Sequence, residues 1–396
     1  MTSRRDFLKY TSLASAAALT PRFLLGMKRN QVEFAGKRLI VIQLSGGNDG
    51  LNTIIPYGDD RYYQLRNRIS IPKREIIQLS DMQGLNPAMS AIENLFHEGE
   101  MTILNSVGYP NPNRSHFRSM DIWHSASGSG EYWDHGWLGR YLDHACTGVA
   151  EPHRVIETDD SLSLALKGET QNGLAMRNPE ALARSARDPF FQTASQAQPG
   201  EGESGVAYLY KTLTGTMNSA DYLLEQVGRA PNPTGFPSND LGRQLQMVSR
   251  LILAGAETSV FYVSMTGFDT HVRQKNLQQR LLQQYSEAVA ALRDTLKRQG
   301  QWNNTLVMTF SEFGRRVGDN AGGGTDHGKA NNLWVMGGDL KHPGILNESP
   351  DLGDLDDGDL KWQIDFRRIY ATLLDQWLGV DDEAILGGTF KGVPIV

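Results

Sequence analysis

The feature that most constrains this chain is the stretch 37–52, KRLIVIQLSGGNDGLN. Leu39, Ile40, Val41, Ile42 and Leu44 form a nearly continuous apolar run rich in β-branched residues. Such a run reads as a strand buried on both faces, the signature of the interior of a parallel sheet. It breaks abruptly into Ser45-Gly46-Gly47-Asn48-Asp49-Gly50, where glycines allow a sharp turn and Asn-Asp-Gly is ordinary turn chemistry. Asp49 therefore stands at the carboxyl end of a central strand, the edge on which open α/β sheets bind ligands. An α/β fold with a mostly parallel central sheet follows, with Asp49 as the first candidate site residue.

The 396 residues can bury a large core as one big domain or two. A net charge of −6 and the lack of a basic block argue against a nucleic-acid surface. Cys146 is the single cysteine, so there is no internal disulfide and no paired-cysteine metal knuckle. Nine histidines and 45 acidic residues leave nitrogen and oxygen ligands, which suit zinc, manganese, magnesium or calcium.

At the amino end, Thr2-Ser3-Arg4-Arg5-Asp6-Phe7-Leu8-Lys9 resembles a twin-arginine export signal. The weakly apolar segment 10–19 is interrupted by Pro21 and Arg22, too soon to span a bilayer. The resemblance implies a leader over 1–30 and a partner in the twin-arginine translocation machinery. It also implies a folded, metal-loaded cargo and a periplasmic or extracellular destination, with no stable transmembrane span. Residues 31–396 are then the folded domain.

Further along, Arg61, Tyr62, Tyr63, Arg66 and Arg68 read as a solvated loop. Asn86-Pro87 opens a helix carrying Met89, Ile92, Leu95 and Phe96, and 101–107 is a second strand. Strand, helix, strand predicts a parallel pair. A loop with two prolines then leads to Ser115 at the start of a helix. A serine there is either an N-cap or a nucleophile whose product anion is stabilised by the free N–H groups of the first turn. Arg114 and Arg118 flank it as anion clamps, and His116 is the neighbouring histidine for proton transfer. Between 157 and 237 the periodicity weakens, which predicts an insertion or cap that governs substrate choice. Strands over 259–265 and 305–310 end in Asp269/His271 and Ser311/Glu312, and Asp326-His327 follows in a glycine-rich loop. A strand over 333–336, a solvated acidic patch over 354–359 and a helix over 366–377 complete the chain.

Polar groups at four strand ends, gathered on one edge of a parallel sheet, predict a divalent metal site, with Asp-x-His as an acid–base pair and Asp-His as an N-cap beside a core histidine as the other readings. The leader, SGGNDGLN, NRSHFRSMDIW, GFDTH, SEFGRR and GTDHG together resemble the DUF1501 family of exported bacterial proteins. That family is related in fold to the alkaline phosphatase, sulfatase and phosphopentomutase superfamily. The resemblance implies an alkaline-phosphatase-like three-layer α/β/α sandwich. It implies Asp49, Asp269, His271, Glu312, Asp326 and His327 as metal ligands and Ser115 as nucleophile, with Arg114, Arg118 and His116 assisting. Phe313 departs from the pattern, standing where the superfamily has a metal-binding histidine. The function implied is an exported metal-dependent hydrolase acting on small anionic phosphate or sulfate esters. The alternative is a non-catalytic or metal-binding cell-envelope protein on the same fold.

Overall fold

The computed structural model describes residues 34–396 apart from 147–149 and 197–203, so the expected leader lies outside the described residues. Nine strands form the central sheet: β1 (Arg38–Leu44), β2 (Met101–Gly108), β3 (Val155–Glu157), β4 (Leu174–Ala175), β5 (Val260–Met265), β6 (Thr305–Phe310), β7 (Asn331–Gly337), β8 (Gly344–Ile345) and β9 (Ile364–Asp365). Their order is β8-β2-β7-β6-β1-β5-β3-β4, with β9 also pairing β2. All pairs are parallel except those of β7, which runs antiparallel to both β2 and β6.

The apolar run of β1 behaves as its composition demands. Leu39 and Val41 point into one core, and Ile40, Ile42 and Leu44 into the other. The period-2 alternation of a strand has put apolar side chains on both faces. On the first face pack α1 (His116–Ser125), α2 (Trp137–Ala145) and the helix Phe366–Thr372, joined by ring stacks of 4.2 Å for Trp123 on Phe366 and for Trp137 on Tyr370. On the second face pack the helices Asp240–Leu253 and Gln274–Arg298, through Leu245, Val248, Leu282, Tyr285 and Leu292. The result is the expected three-layer α/β/α sandwich with a mostly parallel sheet.

Three local expectations need correction. The strand over 101–107 is not paired with β1, because β6 and β7 lie between them. Both neighbours of β1 come from later apolar strands, β5 and β6. The segment after Asn86 starts as a tight 3-10 turn, Pro87–Ile92, with Met89 outside helical angles, and becomes α-helical only at Glu93–His97. The residues 61–68 are not a solvated loop as a whole, since Tyr62 and Arg66 are fully buried.

The segment 157–237 supplies strand β4 and the helices Pro179–Ala186, Pro189–Gln196 and Ser204–Val227. Leu223 and Val227 reach the second core. No helix among the described residues is long and apolar enough to cross a membrane.

Glu157, at the carboxyl end of β3, carries a pH prediction. Burial pushes its carboxyl up to about 7, although Ser163 N–H donates to it at 2.6 Å. The folded state thus holds a proton that the unfolded chain releases above its ordinary carboxyl pKa, so this group's contribution falls as pH rises from about 4.5 to about 7. Glu157→Gln keeps the acceptor and removes the charge. Relative to wild type, it gains about 3 kcal/mol of unfolding free energy across that window, read by urea titrations at each pH.

Candidate functional site

Four loops meet at the carboxyl edge of the sheet. After β1, the Ser45 carbonyl accepts from Phe268 N–H at 3.2 Å, and Gly46 takes a left-handed φ of 119°. A Cβ on Gly46 would stand 2.4 Å from the Asp269 backbone nitrogen, so only glycine lets the loops after β1 and β5 lie back to back. Beneath them runs Arg315, fully buried. Its guanidinium donates to the carbonyls of Gly46, Gly47, Phe268 and Thr325 and, at 2.8 Å, to Asp269 Oδ1. In the sequence Arg315 stands out only as part of the SEFGRR motif, yet in the fold it ties three strand ends and the glycine-rich loop together.

The loop after β2 is fastened by Tyr109, Asn113 and Ser119. Ser119 Oγ donates to the Asn113 carbonyl at 2.6 Å, and Asn113 Oδ1 accepts from Ser115 N–H at 2.8 Å. Ser115 occupies the N-cap position of α1, but its hydroxyl does not cap the helix and the residue is exposed. The next residue, His116, turns into the site.

The centre of the site is Asp269. Its Oδ1 lies 2.9 Å from His271 Nε2 and 3.2 Å from His327 Nε2, and the two ring nitrogens are 3.1 Å apart. His116 Nε2 lies 3.5 Å from Asp269 Oδ2. One atom each of His116, Asp269 and His327 falls within a 4.8 Å group. Behind every imidazole stands an acceptor for Nδ1: Glu312 Oε1 at 3.0 Å for His116, Asp326 Oδ1 at 3.5 Å for His271, and the Arg114 carbonyl at 2.9 Å for His327. A carbonyl can only accept, so the proton of neutral His327 sits on Nδ1 and the Nε2 lone pair faces Asp269. The carboxylates behind His116 and His271 favour the same tautomer.

The electrostatics follow. Partial burial opposes ionisation of Asp269, but the Arg315 guanidinium outweighs it and holds the carboxyl at about 2. The hydrogen bond to Glu312 raises the His116 pKa above its ordinary value, while burial lowers that of His327. Lone pairs on nitrogen and oxygen therefore converge around a carboxylate that stays charged. Tetrahedral zinc, with bonds of about 2.0–2.1 Å, spaces its ligand atoms roughly 3.3 Å apart. The Asp269–His271–His327 triangle fits a divalent ion, and acceptors behind Nδ1 are the usual support of metal-bound histidines.

Other candidate residues take different places. Asp49 is buried against Arg66, with Nη1 at 2.6 Å from Oδ2, and Gln274 also donates to it. Its hydrogen-bond partners include none of the three histidines, and its Oδ1 is buried without a partner among the described residues. Glu312 is fully buried and accepts from Gly46 N–H at 2.8 Å as well as facing His116. Asp326 is exposed and accepts from Asn320. Arg118 donates to the carbonyls of Gly128, Ser129 and Glu131 and lies over the Tyr132 ring. Arg114 Nη1 pairs with Asp359 at 3.2 Å. Phe313 packs its ring 4.9 Å from His116 and 4.6 Å from His327. His116 reaches Glu312 from another loop. The acidic patch 354–359 is not simply solvated: Asp356 pairs with Lys329 and Asp357 with Arg316, and Asp359 is fully buried.

Several solved structures are similar in trace. The lipoteichoic acid synthase LtaP from Listeria monocytogenes is 9% identical with a TM-score of 0.40, covering 91% of this chain and 76% of that one. The phosphonate monoester hydrolase SpPMH from Silicibacter pomeroyi is 7% identical with a TM-score of 0.38, covering 78% and 69%. A protein in the alkaline phosphatase superfamily from Vibrio parahaemolyticus is 11% identical with a TM-score of 0.38, covering 89% and 69%. No curated protein matches the chain. Residues 36–392 match the family described as "Protein of unknown function (DUF1501)", and the chain belongs to that family.

Proposed function

We propose that this protein is an exported, metal-dependent hydrolase of phosphate or sulfate esters with Ser115 as nucleophile. The observation that carries the reading is the convergence of His116, His271 and His327 Nε2 on the Asp269 carboxylate, each ring backed by an acceptor at Nδ1. Those four residues would hold the ion, and Glu312, Asp326 and Arg315 would orient them. A bound divalent ion supplies Lewis-acid polarisation of the ester oxygens and lowers the pKa of a nearby hydroxyl.

The chain's own residues do the rest. Ser115 Oγ forms a bond to phosphorus or sulfur and the ester bond to the alcohol breaks. The hydroxyl proton leaves with the alcohol. Water then hydrolyses the Ser115 ester, releasing the inorganic anion and restoring the hydroxyl. The uncapped first turn of α1 offers N–H groups to that anion. Asp49 is left out of the proposed ligand set because its hydrogen-bond partners, Arg66 and Gln274, include none of the three histidines, and Arg118 is not given the role of anion clamp because loop carbonyls occupy its guanidinium. Export by the twin-arginine machinery to the periplasm or beyond rests on Arg4 and Arg5 in the leader.

Purified full chain, screened against phosphate and sulfate monoesters, is expected to turn over at least one class. Chelator abolishes the turnover and a divalent ion restores it. A second reading draws on Phe313, an apolar ring among the imidazoles: a metal-binding envelope protein without turnover. Stoichiometric metal with no hydrolysis of either ester class selects that reading.

A further inference from the structure

Beside the site lies a cavity of about 600 Å3, lined by Asn111, Lys329, Asp356, Lys361 and Trp362 among others. That volume is in the range of small-molecule sites. Two of the loops that carry the candidate centre form walls of the cavity. Asn111 belongs to the loop that delivers Ser115 and His116. Lys329 follows His327 by two residues, at most roughly 7 Å along the chain. The two loops are tied by His327 Nδ1 and the Arg114 carbonyl at 2.9 Å. The third wall is the hairpin of Leu355–Asp356 with Asp359–Leu360 and the residues after it. It is drawn against the site by Arg114 Nη1 on Asp359 at 3.2 Å and Lys329 Nζ on Asp356 at 2.6 Å.

Trp362 is the informative residue. Its Cβ sits over Gly108 at the end of β2, where an added Cβ would stand 2.8 Å away, so the stem is fixed. The residue nonetheless stays 38% exposed at the cavity. An aromatic face anchored at one end, ringed by an amide, two ammonium groups and a carboxylate, matches one kind of molecule well. A pyranose presents flat C–H faces to an aromatic ring and a rim of hydroxyls to polar side chains. These groups already form the ion pairs Lys329–Asp356 and Lys361–Asp354, which hydroxyls can join, whereas a purely apolar alcohol would desolvate them with no hydrogen bond in return.

We propose that this cavity binds the alcohol part of the ester and that this part is a saccharide, so that the substrate class is a sugar phosphate or sugar sulfate. The proposal rests on the hydrolase reading for the role of the neighbouring centre, but its test is a binding test. Probes with carbon–phosphorus or carbon–sulfur bonds are not esters and stay intact. Calorimetric titration of the full chain compares 6-deoxyglucose 6-phosphonate with phenylphosphonate and methylphosphonate, and the three matching sulfonates. The sugar probe of at least one series binds tenfold or more tightly than its methyl counterpart. Trp362→Ala removes that advantage and leaves the methyl probe unchanged, while Trp362→Phe keeps part of it. Whichever series binds identifies the anion.

Equal binding of sugar and methyl probes overturns the proposal, as does an advantage that survives Trp362→Ala. Preference for the phenyl probe replaces the saccharide with an aromatic alcohol, and no binding at all refutes the cavity's role. Sugar binding without turnover of any ester removes the hydrolase reading and leaves this assignment. Ester turnover without a sugar preference does the reverse.

Discussion

In Ser115→Ala protein, kcat for the responsive ester falls about 10^4-fold, equivalent to roughly 5 kcal/mol in the barrier. Metal content and the unfolding midpoint do not change. The argument for the first part is position: Ser115 precedes His116, whose imidazole turns into the centre, and it opens a helix whose first turn no serine side chain caps. The argument for the second part is the missing cap. A serine that capped α1 would lose about 1 kcal/mol on truncation to alanine. Ser115 makes no such bond and is exposed, so the change stays within about 0.5 kcal/mol. Steady-state kinetics and urea unfolding of one preparation measure both. An unchanged rate moves the nucleophile to water. A loss of stability near 1 kcal/mol returns Ser115 to the role of a cap.

Asp49→Ala lowers the unfolding free energy by about 3–5 kcal/mol, because it leaves the Arg66 guanidinium buried without its counter-ion. Neither side chain has meaningful exposure, at 0% for Arg66 and 1% for Asp49. Arg66 also donates to the Val317 carbonyl at 2.8 Å and the Arg316 carbonyl at 2.9 Å, so it cannot swing out to water without breaking those bonds. The double change Asp49→Leu with Arg66→Met, which removes both charges, recovers most of the loss. Denaturant titrations read the effect as a shift in midpoint at constant slope. Loss of metal from Asp49→Ala with stability unchanged would instead make Asp49 a ligand.

The frame of the fold and half of the candidate site are legible in the sequence because the patterns are local. A β-branched run with period-2 burial on both faces is a central strand wherever it is placed, so β1, β5 and β6 could be read directly. Asp269, His271 and His327 lie within short motifs at strand ends, and a parallel sheet gathers those ends. Other parts depended on distant contacts. Strand order was not legible, since nothing in 101–107 says that β6 and β7 will stand between it and β1. Arg66 looked like a surface cation because its partners, Asp49 and two carbonyls around 316–317, are remote in sequence. His116 was read through its neighbour Ser115, as a proton carrier. Its pairing with Glu312 spans 196 residues and no spacing rule reports it. The acids between 354 and 359 looked solvated for the same reason, their partners Arg114, Arg316 and Lys329 being supplied by other loops.

The central claim is that His116, Asp269, His271 and His327 hold one divalent ion, and metal content tests it most directly. Full chain folded in the cytoplasm, without its export step, is analysed by elemental mass spectrometry beside Asp269→Ala and Asp49→Leu/Arg66→Met. The expected result is close to one zinc, manganese or other divalent ion per wild-type chain. The ion falls below a tenth in Asp269→Ala and stays in the double variant. Well-folded wild-type protein with no bound ion after incubation with these metals, or an Asp269→Ala chain that keeps its ion, would contradict the account.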